Sequence, residues 1–347
     1  MDVTRHDGID ALLADWHELH AADDRSTPYG SPDWVRLWLE HYGEGAEPWV
    51  LAAREDGRLV GLLPLVRRQR HSMRILRPLA EDPCDAFDVR AVSDRRDDVE
   101  HRFAEELRRR SGEWDACVLT RLRDDATFGR ALGGAGLHTQ ARDHLPYPQI
   151  VVPESFDEFL KRFPSERRTR MRRRLKLLDN GKVEVRPVGV DEVPQAIEEL
   201  LALRHRQWEA MGKTLAPVVA ADRFRRFLTE IATLHVASDN ARLVEYSTEG
   251  ERVAVYLDFC DERTFHGFMG AYVPEASKLE LGKLHILATI RDSIEAGRRT
   301  HSLGRGGESY KMWFRPEERS SWSCAVTSGR VRSRAALLAG TLAGRLR

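Results

Sequence analysis

The side chains able to do acid–base or anion chemistry gather in two stretches of the sequence. In 251–315, Asp258 and His266 lie in or beside two alternating apolar runs. Glu308, Tyr310 and Lys311 follow the glycine-rich Gly304-Arg305-Gly306-Gly307. Histidine titrates near neutral pH, so His266 is a candidate general base; a hydrogen-bonded structural histidine is the competing reading. Strict alternation over 264–272 groups Phe265, Gly267 and Met269 on one face, and His266, Phe268 and Gly270 on the other. Tyr310 and Lys311 are placed to protonate a leaving group or hold an anion. Against that stands a tyrosine ring filling core with a lysine at the surface. Glu308 and Arg305 flank them and would orient an amine or a carboxylate. The polar loop before the helix at 281–296 would offer an anion the free N–H groups of a first helical turn.

The second stretch is basic. Between 161 and 176 stand nine cations, Arg167, Arg168, Arg170 and Arg173 among them, with only Glu166 opposing. A solvated helix face explains this, and so does a seat for phosphates on a cofactor or on RNA. In the following helix Trp208 and His205 are candidates for a substrate wall. The buried stripe (for Trp208) and the C-terminal helix dipole (for His205) are the plainer explanations.

Other chemistries lose weight. There is no G-x-x-x-x-G-K-[ST], H-E-x-x-H or G-x-S-x-G, and the 13 histidines lack metal-ligand spacing. Cys84, Cys117, Cys260 and Cys324 are widely spaced without C-x-x-C, which fits a reducing cytoplasm and not zinc. Lys+Arg and Asp+Glu are 55 each, so a globally basic nucleic-acid binder is disfavoured. No apolar run approaches a membrane span, and the N-terminus lacks a secretory pattern.

These residues need elements to position them. Helical spacing marks 8–21 and 31–42, the latter capped by Ser31 with Pro32 first. Asp56-Gly57 joins two strands as a hairpin, and Pro64 predicts a bulge or the end of pairing in the second. Ser155 and Glu158 open a new helix in a capping-box pattern. A three-strand meander covers 241–273, and 319–328 reads as a closing strand of the second half. The length of 347 residues predicts two domains. DGRLVGLLPL echoes GERVAVYLDF, which points to duplication. The boundaries expected are 1–152 and 153–330, followed by a basic amphipathic tail at 331–347.

YGSPDWVRLWLEHYG, RLVGLLPLVRR, ERRTRMRRRLKLLDNGKVEV, LRHRQWEAMGK, VAVYLDF, TFHGFMGAYVPEASKLELGKLHILATIRDSIEAG and GRGGESYKMWF together resemble the CelD/BcsL-like acetyltransferase family. That family belongs to the GNAT superfamily and is akin to the Fem-type tandem transferases. The resemblance implies an α/β (α+β) fold of tandem GNAT domains, with mixed, largely antiparallel sheets flanked by helices. It implies transfer of an acyl group from acetyl-CoA or another acyl-CoA, not tightly bound. The acceptor would be an amine or hydroxyl of a small molecule or saccharide, seated in a cleft between domains. Donor pyrophosphate is implied at Leu281, Gly282 and Lys283, although KLELGKL departs from the Q/R-x-x-G-x-G/A signature. The late D-F-x-x-G-D-x-x-Y-K motif keeps Gly306, Tyr310 and Lys311 but has Ser302 and Gly307 at its acidic positions. Two alternatives are an aminoacyl-tRNA donor and a non-catalytic role in exopolysaccharide synthesis.

Overall fold

Asp56 and Gly57 both take positive φ, 49° and 81°, and Glu249 and Gly250 do the same at 53° and 79°. Two-residue turns with both φ values positive match the twist of antiparallel strands, so each sets the register of a long hairpin. The structure is a computed structural model that describes residues 1–70, 72–214 and 217–328. It divides into two units. One is Met1–Leu145 with the strand that starts at Ser320; the other is Pro146–Arg319.

In the first unit, β1 (Asp2–His6) leads to α1 (Leu13–Ala22) and α2 (Pro32–Tyr42). Ser31 Oγ accepts the Trp34 N–H at 3.2 Å and so caps α2. The hairpin of β2 (Glu47–Glu55) and β3 (Arg58–Arg70) follows, then β4 (Met73–Pro78), β5 (Arg90–Ala91), α3 (Arg96–Arg109), β6 (Ala116–Arg123), α4 (Phe128–Gly134) and β7 (His138–Pro146). Pro64 does not end pairing: it stays opposite Val50, and the register shift falls at Ala53/Arg54. On the other edge of β3 the partner changes from β5 at Gly61–Leu62 to β4 at Leu65, so Pro64 sits at a gap where no ladder bond is lost.

The second unit runs β8 (Gln149–Val151), α5 (Phe156–Lys161), α6 (Ser165–Asp179), β9 (Glu184–Pro187), α7 (Val193–Ala210), α8 (Pro217–Ala220) and α9 (Asp222–Ala237). Then come β10 (Ala241–Thr248), β11 (Glu251–Cys260), β12 (Thr264–Tyr272), α10 (Leu281–Glu295), β13 (Thr300–Ser302) and α11 (Ser309–Met312). Ser155 caps α5 through the Glu158 N–H, as its spacing predicts. Among the described residues the sheet has six strands in the order β8-β13-β12-β11-β10-β9. Phe159, Met171, Leu175, Leu284, Leu287 and Phe314 fill its core.

The last strand, β14 (Ser320–Thr327), corrects the expectation for 319–328. It lies between β6 and β7 in the first sheet, not in the second. Cys324 and Val326 are buried in the first core, and Trp322 Nε1 donates to the Arg123 carbonyl at 2.8 Å. The first sheet thus has eight strands among the described residues. The segment 331–347 lies outside the described residues. No helix among those described is long and apolar enough to cross a membrane, and no cluster of potential metal ligands occurs among them.

Candidate active site

β12 and β13 run parallel but pair only over Thr264–His266 and Thr300–Ser302. Beyond His266 the edge of β12 has no strand partner on that side among the described residues. A cavity of about 780 Å³ opens there, entirely within the second unit, between β12, α7, α10 and α11. A bulge lies beside it: Leu257 faces Met269 but Asp258 faces Gly267, so β12 carries one extra residue. Gly270 has to be small, because a Cβ there would overlap the Tyr256 ring at 2.1 Å.

The floor is a buried polar chain. Asp258 Oδ2 is 2.9 Å from His285 Nε2, and His285 Nδ1 is 2.9 Å from the Tyr246 hydroxyl. One proton arrangement satisfies all three groups: Tyr246 O–H donates to Nδ1 and Nε2–H donates to the carboxylate. His285 is clamped by stacking on Tyr256, with ring centroids 3.9 Å apart. Asp258 is thereby a fixed carboxylate in the cavity wall, 3% exposed. Behind it His301 stacks on Phe265 and bonds Ser293 Oγ at 3.0 Å. Burial, with His285, His266 and Arg298 adding to it, pushes His301 down to about 3, so it is neutral.

One end of the cavity is cationic. Arg167, Arg174 and Lys283 all crowd the Trp313 ring, at 5.4, 5.9 and 5.0 Å from its centroid. They stand at the first turn of α10, whose open N–H groups add positive potential. Burial and then the neighbouring arginines Arg174, Arg170 and Arg167 lower the Lys283 ammonium. Glu280, the residue before α10, pairs with both Arg174 and Lys283. It does so with φ at 48°, in the left-handed region. A carboxylate thus occupies the place a phosphate would fit.

Of the residues singled out by sequence, Asp258, Glu308, Tyr310, Lys311, Gly282, Lys283 and Trp208 line the cavity. Arg167 reaches Trp313 and donates to its carbonyl at 3.1 Å. Lys311 is not free to act as an acid: it is 6% exposed, with Nζ 2.9 Å from both the Arg305 carbonyl and the Glu308 carboxylate. It braces the glycine turn. Tyr310 packs over Gly282 and stays 38% exposed; partial burial and Glu308 raise its hydroxyl above the ordinary value, with Arg204 opposing. Ser302 is buried and its hydroxyl accepts the Gly304 N–H at 3.3 Å.

His266 is placed outside the cavity. It is 3% exposed and faces Asp261 at 3.6 Å, because it alternates with Phe265 and Gly267, which line the cavity, and so points to the other face of β12. His205 pairs with Glu209 on the exposed side of α7 at 3.3 Å. Arg168 donates to the Phe163 carbonyl, Arg170 lies beside Glu166, and Arg173 is exposed; none of the three lines the cavity, and neither does Arg305. Sequence reasoning missed His285, Trp313 and Arg204, and took Arg174 only as one cation of the basic run. His285 carried a readable signal, a lone polar ring within the apolar run LHILATI.

Residues 165–312 match the family described as Acetyltransferase (GNAT) domain. A search among curated proteins finds no match. Among solved structures, FemX is similar at 10% identity, covering 97% of this chain and 99% of that one, with a TM-score of 0.67. A tandem GNAT protein from the clavulanic acid biosynthesis pathway is similar at 14% identity, covering 95% and 99%, TM-score 0.50. L-PGS from Bacillus licheniformis is similar at 12%, covering 91% and 97%, TM-score 0.51. The chain has a mixed α/β fold of the kind seen in tandem GNAT proteins, and within it residues 165–312 match the acetyltransferase (GNAT) domain family.

Proposed function

We propose that the second unit is an acyltransferase that moves an acyl group from acyl-CoA to an amine or hydroxyl. The observation that carries this is one cavity joining a phosphate-ready cation cluster to a fixed carboxylate and a tyrosine. The donor's phosphates would displace Glu280 from Arg174 and Lys283 at the start of α10, with Arg167 beside them. Its pantetheine arm would run along the unpaired edge of β12, whose N–H groups meet the thioester oxygen. The acceptor atom attacks the carbonyl carbon. Asp258, oriented by His285, takes the proton the acceptor sheds as the new bond forms. The C–S bond breaks, and the thiolate takes the proton of Tyr310, which solvent restores from Asp258. Each backbone donor to the oxyanion would be worth about 3 kcal/mol.

This mechanism replaces His266 as base with Asp258, retains Tyr310 as acid, and gives Lys311 and Glu308 a positioning role. Calorimetric titration with acetyl-CoA tests it directly: saturable binding is expected, and heat no greater than dilution sinks it. An aminoacyl-tRNA donor is the second reading. It is favoured by Arg170 and Arg172, which stay 66% and 55% exposed on α6 beyond the cavity. Binding of tRNA that weakens steeply between about 50 and 200 mM salt would support it, and no shift at low salt would remove it. The saccharide-type acceptor and a cytoplasmic setting belong to this proposal.

A further inference from the structure

On the cavity wall, α7 contributes Arg204 and Trp208. The Arg204 guanidinium lies 5.6 Å from the Trp208 ring centroid, and Lys213 Nζ lies 6.0 Å from the same ring. Arg204 Nη1 donates to the Gly270 carbonyl at 3.3 Å on β12. Its Nε is buried without a hydrogen-bond partner, and no carboxylate oxygen comes within 4.0 Å of the group among the described residues. The nearest acid in the wall, Glu308, is held by Lys311 at 2.9 Å. Elsewhere in this unit a largely buried arginine finds an acid: Arg174, 14% exposed, pairs with Glu280. Burial lowers Arg204 while Tyr310 and Glu308 oppose the shift.

A guanidinium with one arm tied down, Nε unpaired and no carboxylate partner is a ready-made fork for a planar anion. An indole flanked by two cations supplies a flat apolar wall beside it. We propose that this part of the cavity binds a carboxylate-bearing ligand, its carboxylate on the Arg204 guanidinium and its body against Trp208. If the unit is an acyltransferase, that ligand is the acceptor, an amino acid or sugar acid whose amine or hydroxyl points toward Asp258. The assignment as acceptor rests on the transferase reading; the carboxylate seat does not.

The test uses phenylacetate and phenylacetamide as matched probes, titrated into the full chain and followed by calorimetry. Phenylacetate is expected to bind with a Kd on the order of 1 mM, and phenylacetamide at least about tenfold more weakly. Arg204→Gln should erase the preference, Arg204→Lys should reduce it, and Trp208→Ala should weaken both probes. Each variant should still bind acetyl-CoA as the unchanged chain does, which shows that it folds. Equal binding of acid and amide, no saturable binding of phenylacetate, or a preference that survives Arg204→Gln overturns the proposal. Displacement of phenylacetate by inorganic phosphate at equal concentration overturns it in favour of a phosphate seat. Loss of acetyl-CoA binding with the carboxylate preference intact removes the transferase reading alone. A turnover series with amino acids against their amides, and with aminouronic acids against amino sugars, then separates the two sources of the carboxylate.

Discussion

Asp258 pairs with Gly267 and the next residue, Phe259, with His266, so ordinary alternation puts Asp258 in the cavity wall and His266 on the opposite face. Asp258→Asn should lower kcat by about 10²–10⁴ with acetyl-CoA affinity little changed, read from steady-state rates and calorimetry. His266→Gln should leave kcat nearly unchanged and act on stability instead. Burial would raise the Asp261 carboxyl, but its bonds to His266 and to the Arg263 and Thr264 N–H groups prevail and hold it below its ordinary value. A lowered acid stabilises the fold above its unfolded pKa of about 3.9 and loses that contribution as pH falls through the folded value. Urea unfolding from pH 5 downward should therefore be less pH-dependent in His266→Gln. Tyr310→Phe should slow turnover, and the unchanged chain should show no alkaline fall in kcat up to about pH 10, since the hydroxyl holds its proton beyond its ordinary value.

The elements around the donor end make a prediction of opposite signs. Arg174→Ala and Lys283→Ala should each weaken acetyl-CoA by about tenfold, whereas Glu280→Gln should tighten it several-fold by removing the competing carboxylate. Calorimetry on the three variants decides it; weaker binding in Glu280→Gln would mean that the acid orients the cations and does not compete. Much at this scale was legible in the sequence. The Xaa-Gly turns, the Ser31 and Ser155 caps, the meander and the helix after it follow from local rules that need no partner. The basic run was legible as a charged helix, but not which cations point inward. Arg167 and Arg174 turn to Trp313 while Arg170 and Arg173 do not, and that depends on the docking of α6 against α10 and α11. The cavity wall at Asp258 was half legible: the residue was chosen, but the His285 that fixes it comes from the packing of α10 on the sheet.

Within the first unit β4 and β6 also run parallel, pairing only at Ile75–Leu76 with Ala116–Cys117. Here the gap is closed. Segment 79–87 folds into it, Phe87 bridges to Leu122, and Arg121 bonds the carbonyls of Glu81 and Cys84. About 10 Å³ remains, room for roughly one water. The helix after it opens on Asp97 and Asp98, which would repel a phosphate. One acetyl-CoA per chain is therefore expected from the calorimetric stoichiometry, and a value near two would contradict it. The units should also differ in acid. His301 in the second unit is folded neutral with its pKa near 3, so that unit loses stability as pH falls from about 6.5 toward 3. In the first unit, burial acts against Glu113, yet Arg5, Trp49 and Arg110 hold it at about 2, so its contribution lasts until pH drops below about 4.3. Between pH 6.5 and 4.5 the second unit should weaken first, and His301→Gln should flatten that slope in urea titrations.

The position of β14 has a consequence for how the molecule is made. Its strand stands between β6 and β7, yet it is translated after the whole of the second unit. The second unit is continuous in the chain and can close as soon as it leaves the ribosome. The first, although synthesised earlier, waits with the edge of β6 bare until the final strand arrives. Completion thus runs against the order of synthesis, and a released chain truncated after Arg319 should show a protease-resistant second unit joined to a first unit that is still cut.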